Sequence, residues 1–214
     1  YYNYYEILTH IRHSEKVFIM KRLLLILILT FSFQTLAKAD DISDFEIEGV
    51  SIGDSVLDYY KREDLNKFYK INYPNSDKYI GYEIPNHLSK IKFKNYESIT
   101  LHFKKNDTSM RIVAVTGIIL YPNNLTKCLR DRDLRVNEIK RSLNNYTEEK
   151  YETTFGEDKI SKGYMHDLKI NEGSIRIWCT NWSEEVTREN EWVDDLNIAI
   201  DAKSFIYWVN NKAY

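Results

Sequence analysis

Apolar and polar positions alternate strictly over 98–104. Ile99, Leu101 and Phe103 fall on one side, with Thr100, His102 and Lys104 on the other. A period of two predicts a strand with one buried face. Residues 79–84 read as the strand before it. Residues 105–109 read as a turn, and 111–121 as a strand apolar on both sides, as a central strand requires. Pro122-Asn123-Asn124 stops that strand and is placed to cap a helix after it. The period then changes. Leu125, Leu129, Val136, Ile139 and Leu143 recur near one meridian of a helix over 125–143. Cys128 lies about 60° from that line. Arg132 falls inside the stripe, either as an Arg that lays its stem on the core and meets a carboxylate, or as an anion contact in a cleft.

The period of two returns at 161–170, 173–180 and 195–200. In the second of these, Ile175, Ile177 and Cys179 share a face. Cys179 therefore points toward the helix that carries Cys128, and Trp178 points away from it. Asp201 is placed to cap a last helix with Phe205, Trp208 and Val209 on one side. At the other end, short helices are expected at about 52–60 and 62–69, the first entered by a capping box of Ser51 and Asp54 or capped by Asp54 alone. The order is helix, three strands, helix, three strands, helix. This predicts an α+β fold: antiparallel sheet with the helices packed on one face, as tandem helix–three-strand units over 40–122 and 123–214, or as one continuous domain.

One apolar run interrupts this pattern. Met20-Lys21-Arg22 leads into an apolar stretch of eleven residues, 23–33, interrupted only by Thr30 and Ser32, and the segment ends Ala37-Lys38-Ala39. A basic start, a short apolar core and an Ala-x-Ala end are the marks of a secretory signal peptide over 20–39, cut before Asp40. A membrane anchor is the competing reading. As a helix the run rises only about 16 Å, against a hydrocarbon core of about 30 Å. Residues 1–19, upstream of the first Met, have no export logic and read as a non-native extension. The residue after the cut is Asp40, not Cys, so no lipid anchor is expected.

Removing 1–39 leaves 25 Lys/Arg against 30 Asp/Glu, a charge of −5 rather than the −2 of all 214 residues. An acidic chain argues against nucleic acid as a partner. The 14% aromatic content argues against disorder. The two cysteines, Cys128 and Cys179, are an even pair in an exported chain, so a disulfide is expected, with two buried thiols as the alternative. No Cys-x-x-Cys or histidine spacing suggests a metal, and no cofactor is expected.

The opening Glu48-Gly-Val-Ser-Ile-Gly-Asp-Ser-Val-Leu57, followed by two short helices and a three-stranded meander, resembles the BamE/SmpA family and the related β-lactamase-inhibitor-protein-like fold over about 70 residues. That resemblance implies a small exported protein that binds other proteins, although BamE-type members are lipoproteins and this chain lacks the lipobox. The mature chain, with its Cys179-Thr-Asn-Trp-Ser-Glu-Glu185 stretch, also resembles small exported bacterial proteins of unassigned activity.

The sequence holds no nucleophile elbow, zinc-protease helix, P-loop or dinucleotide fingerprint. All four Trp lie in the last 37 residues, beside six acids between Glu184 and Asp195. Trp178, Trp182, Trp192, Glu184 and Glu185 are therefore a candidate recognition surface, since indole rings stack on apolar or sugar faces and acids favour cationic partners. The expectation is a soluble periplasmic binding or accessory protein, with an envelope protein or small ligand as partner. The alternative is a small hydrolase built around His166, His102 or Arg132.

Overall fold

A computed structural model describes residues 41–155 and 159–214; the expected upstream extension and signal peptide lie outside them. The described chain is mixed α and β around a large antiparallel sheet. A 3-10 turn, Ile42–Asp44, leads into a two-stranded ribbon, β1 (Glu46–Ile47) and β2 (Val50–Ser51). Glu48 and Gly49 between them both have positive φ, which a two-residue hairpin requires and Gly supplies without strain. Helix α1 (Val56–Tyr59) and a 3-10 segment, Arg62–Lys67, come next. They lead to β3 (Tyr69–Ile71), β4 (Tyr79–Pro85), β5 (Ser98–Lys104), β6 (Ile112–Leu120) and α2 (Leu125–Ser142). The second half contains β7 (Thr147–Thr154), β8 (Lys162–Ile170), β9 (Gly173–Asn181), α3 (Glu184–Asn190), β10 (Asp195–Ala202) and α4 (Lys203–Lys212).

Eight of these strands form one sheet in the order β3-β4-β5-β6-β10-β9-β8-β7. Residues 40–122 and 123–214 each supply a four-stranded meander. The two meanders join where β6 pairs antiparallel with β10, from Asp195↔Leu120 to Asp201↔Ala114. Each half contributes four strands to this sheet rather than the expected three. The additional ones, β3 and β7, are the sheet's two edges. Glu148, Glu149, Lys150 and Glu152 place charge on both faces of β7, which hides the period of two and protects an exposed edge.

The helices lie on both faces of the sheet, which corrects the expectation of one. Cys128 and Val136 of α2 are buried against the face formed by Ile175, Ile177 and Cys179, in the main core. On the opposite face, Phe205 and Trp208 of α4 pack on Tyr79 and Ala114 in a separate cluster. The Tyr79 ring is 5.3 Å from Phe205 and 4.7 Å from Trp208. Trp208 Nε1 donates to Ser76 Oγ at 3.1 Å. This is why Thr100 and His102, expected on a polar face of β5, are buried. Asp201 does not cap α4, because its carboxylate accepts from Arg176 Nε at 2.7 Å. Ser51 N does donate to Asp54, but the capping box of α1 is Ser55 with Asp58.

Cys128 and Cys179 are joined by a disulfide, with Cα atoms 6.0 Å apart. It ties α2 to β9, the strand next to β10 in the sheet.

At Gly173, where β9 begins opposite Ala202, a Cβ would stand 2.2 Å from the Asp201 carbonyl oxygen. The obstacle is backbone, so it cannot swing aside. Gly173→Ala is expected to cost about 1–3 kcal/mol as the two strands are forced apart. Urea midpoints of the two proteins check this; an unchanged midpoint would contradict it.

Candidate functional site

On the α4 face of the sheet, the alternation of β9 turns Ser174, Arg176 and Trp178 away from the core side occupied by Ile175, Ile177 and Cys179. In the register of β8, Asp167 stands opposite Arg176, and in β7 Glu149 stands opposite Asp167. Helix α4 supplies Lys203, Ile206 and Tyr207 as the other wall. Together they enclose a cleft of about 510 Å³, within the range typical of small-ligand sites.

The Arg176 side chain is one quarter exposed and Asp201 is buried. Their ion pair spans β9 and β10. The Asp201 charge holds the guanidinium further in its protonated form, against the effect of burial. Arg176 carries five N–H donors. Among the described residues only Nε is hydrogen-bonded, to Asp201, so the Nη edge is unused. The Trp178 ring lies 5.7 Å from the guanidinium carbon, close enough for a cation–π contact that restrains its plane.

Asp167 is buried. Its Oδ2 accepts from Tyr151 Oη at 3.2 Å, and its Oδ1 has no hydrogen-bond partner. Burial pushes its pKa up, and the nearby Arg176 charge opposes that push. The Tyr151 hydroxyl is pushed up to about 12, chiefly by burial and then by Asp167. At the rim, Lys169 Nζ is 2.6 Å from Glu149, and Lys203 Nζ donates to the Asn171 carbonyl at 3.4 Å. The cleft thus offers guanidinium donors beside an acceptor that lacks a donor. No serine, cysteine or histidine paired with a base stands among its lining residues. Among the described residues no three His, Cys, Asp or Glu side chains gather as a metal-binding set.

The sequence-predicted residues are placed as follows. Trp182 and Trp192 come together, centroids 4.7 Å apart, with Phe155 6.1 Å from Trp182. Trp192 is half exposed. Trp178 is on the sheet, directed away from α2 as expected, and belongs with Arg176. Glu184 and Glu185 occupy the first turn of α3, capped by Ser183, where the helix dipole accommodates negative charge. Trp208, the fourth indole, is a core residue.

Arg132 is committed within the fold. It donates to the Tyr164 carbonyl at 3.0 Å and to Asp133 at 2.8 Å, pinning α2 to β8. His166 lies on the α2 face, 2.8 Å from Glu148, which also receives Lys140 at 2.6 Å. Lys140 is the main reason the Glu148 carboxyl is held down at about 2. His102 lies on the α4 face. The two histidines are therefore on opposite sides of the sheet, and no cluster of His166, His102 and Arg132 is assembled.

Sequence reasoning missed Arg176, Asp167 and Tyr151 as a group. One signal was available: Arg176 sits mid-strand between Ile175 and Ile177, where a charge is costly unless something faces it. No family model matches this chain, and no curated protein or solved structure matches it.

Proposed function

We propose that this chain is a soluble, exported binding or accessory protein of the periplasm, acting by recognition of a ligand or envelope protein. The observation that carries this reading is the cleft beside α4, where Arg176 keeps four N–H donors unused next to the unpartnered Asp167 Oδ1. Proteins rarely leave buried polar groups unsatisfied without a functional reason.

Two observations support the exported setting. The Cys128–Cys179 disulfide suits an oxidising compartment. Residues 20–39 have the pattern of a signal peptide. Separately, no described helix is long and apolar enough to cross a membrane. The two four-stranded meanders are in keeping with tandem α+β units and with the BamE/SmpA-like resemblance, whose members bind proteins. The Trp182–Trp192 patch would then be a second contact surface.

Two measurements test the reading. Bacteria expressing the full chain are fractionated, and the intact mass of the product is measured. Export predicts a periplasmic product beginning at Asp40; an uncleaved cytoplasmic chain would refute it. The purified protein is then screened by thermal shift against neutral, anionic and cationic solutes. A solute whose shift disappears in Arg176→Lys supports recognition at the cleft. Shifts that are all independent of Arg176 count against it.

A further inference from the structure

The cleft's donors and acceptors restrict what it can hold. Two of its cation–carboxylate contacts are internal: Lys169 with Glu149, and Arg176 Nε with Asp201. Besides Lys203 at the rim, which has no carboxylate partner among the described residues, two features stand side by side. Arg176 presents its Nη edge, a planar fork that matches the two oxygens of a carboxylate. Asp167, more than nine-tenths buried, presents an oxygen with no donor. Both residues line the same cleft, and they stand opposite each other across β8 and β9.

A bare anion would satisfy only the fork and would lie against the Asp167 oxygen unaided. A multiply charged tetrahedral anion would also meet the Glu149 carboxylate in the cleft lining. A cation would be drawn to Asp167 but opposed by Arg176. A molecule with a carboxylate and an adjacent hydrogen-bond donor satisfies both groups. Ile206 and the Tyr207 ring flank the opening, providing apolar contact for a short carbon skeleton.

Resting on the recognition reading above, we infer that the cleft binds a small carboxylate that bears a hydroxyl or amino group next to its carboxylate, the carboxylate on Arg176 Nη and the neighbouring donor on Asp167 Oδ1. The two sources of that chemistry are α-hydroxy acids and α-amino acids.

The test is calorimetric titration of the full chain with lactate, malate, alanine and aspartate, using propionate and inorganic phosphate as controls. At least one substituted acid is expected to bind about tenfold or more tighter than propionate, because a ligand lacking the donor leaves the buried oxygen unpaired. Arg176→Lys is expected to weaken that binding by about tenfold, because lysine keeps the charge but loses the fork. Asp167→Ala, which removes the acceptor oxygen that asparagine would retain, is expected to bring the substituted acid and propionate within about threefold of each other. Both variants are compared with wild type by circular dichroism. A variant-free arm follows backbone amide shifts of the wild-type protein, where the largest changes should fall at Tyr151, Asp167, Ser174 and Tyr207.

Propionate binding as tightly as the substituted acids overturns the inference. So does phosphate binding tighter than both, or amide changes located away from the cleft. If phosphate or a neutral solute binds with Arg176 dependence, the ligand class is wrong and the recognition reading stands. If no solute binds and no envelope partner depends on Arg176, both fall.

Discussion

Replacing Cys128 and Cys179 together with alanine is expected to lower the unfolding free energy by about 4 kcal/mol. The bridge closes a loop of 51 residues, and in the chain-entropy model a loop of that length restrains the unfolded chain by about this amount. The loss is a large part of the 5–15 kcal/mol by which a typical domain is stable. Both sulfurs are buried beneath α2, so a reductant should act only on chains that have opened. Urea unfolding with and without reductant checks this. The wild-type midpoint should fall in reductant to near that of the double variant, and the variant should not respond. A wild-type midpoint indifferent to reductant after long equilibration in urea would show that the bridge contributes little.

Acid is expected to destabilise this protein through His102 more than through any surface carboxylate. The imidazole lies under α4, its ring 4.9 Å from Phe205 and 6.0 Å from Tyr73, and neither ring nitrogen has a hydrogen-bond partner. Burial, assisted by the Arg176 charge, pushes its pKa down from 6.5 to about 3. The unfolded chain therefore takes up a proton below pH 6.5 that the folded chain refuses. Stability from the neutral imidazole is complete above 6.5 and is lost as the pH falls toward 3. At about 1.4 kcal/mol per pH unit, the loss between pH 7.5 and 4.5 is about 3 kcal/mol.

Asp195 works in the opposite direction. Burial raises its carboxyl from 3.8 to about 6, so the folded chain holds its proton more tightly. That stability is complete below 3.8 and is lost as the pH rises through 6. Going from pH 7.5 to 4.5 it returns about 2 kcal/mol. The wild-type protein should thus lose only about 1 kcal/mol over that interval from these two groups. Relative to wild type, His102→Leu should be spared about 3 kcal/mol of acid loss over that interval, because the imidazole no longer contributes. The difference between the two proteins isolates the imidazole. Urea titrations at the two pH values measure it, and identical pH dependence in both would remove His102 as the acid sensor.

The elements with a clean period were legible in the sequence. Strands β5, β6, β8, β9 and β10 and helices α2 and α4 follow from it within one or two residues at most ends. Hydrophobic burial acts on one face at a time, and a face repeats every 2.0 or 3.6 residues. The same parity placed Trp178 away from α2 and aimed Cys179 at Cys128. The period carried no information where burial did not select residues. Strand β7 is an edge exposed along its length. Helix α3 buries no side chain and depends on its Ser183 cap, so its Glu184 and Glu185 read as part of an acidic surface.

The candidate site was largely illegible, because its members are remote in sequence. Tyr151, Asp167, Arg176 and Lys203 come from four elements, and only the strand order β10-β9-β8-β7 with α4 behind it brings them together. Parity told that His166 and Asp167 point to opposite faces. It could not tell which face would be filled by α2 and which would hold a cleft. Local pattern likewise assigned Asp201 to a helix cap, whereas the fold gave it to Arg176.

By itself, then, the sequence determined the α+β class, the pairing of its two cysteines and the face of each main strand, because these follow from residue type and short-range periodicity. The tertiary structure alone decided that both halves share one sheet, that helices cover both of its faces, and that an arginine and an aspartate meet in a cleft. Those outcomes depend on contacts between segments tens of residues apart, which no local period encodes.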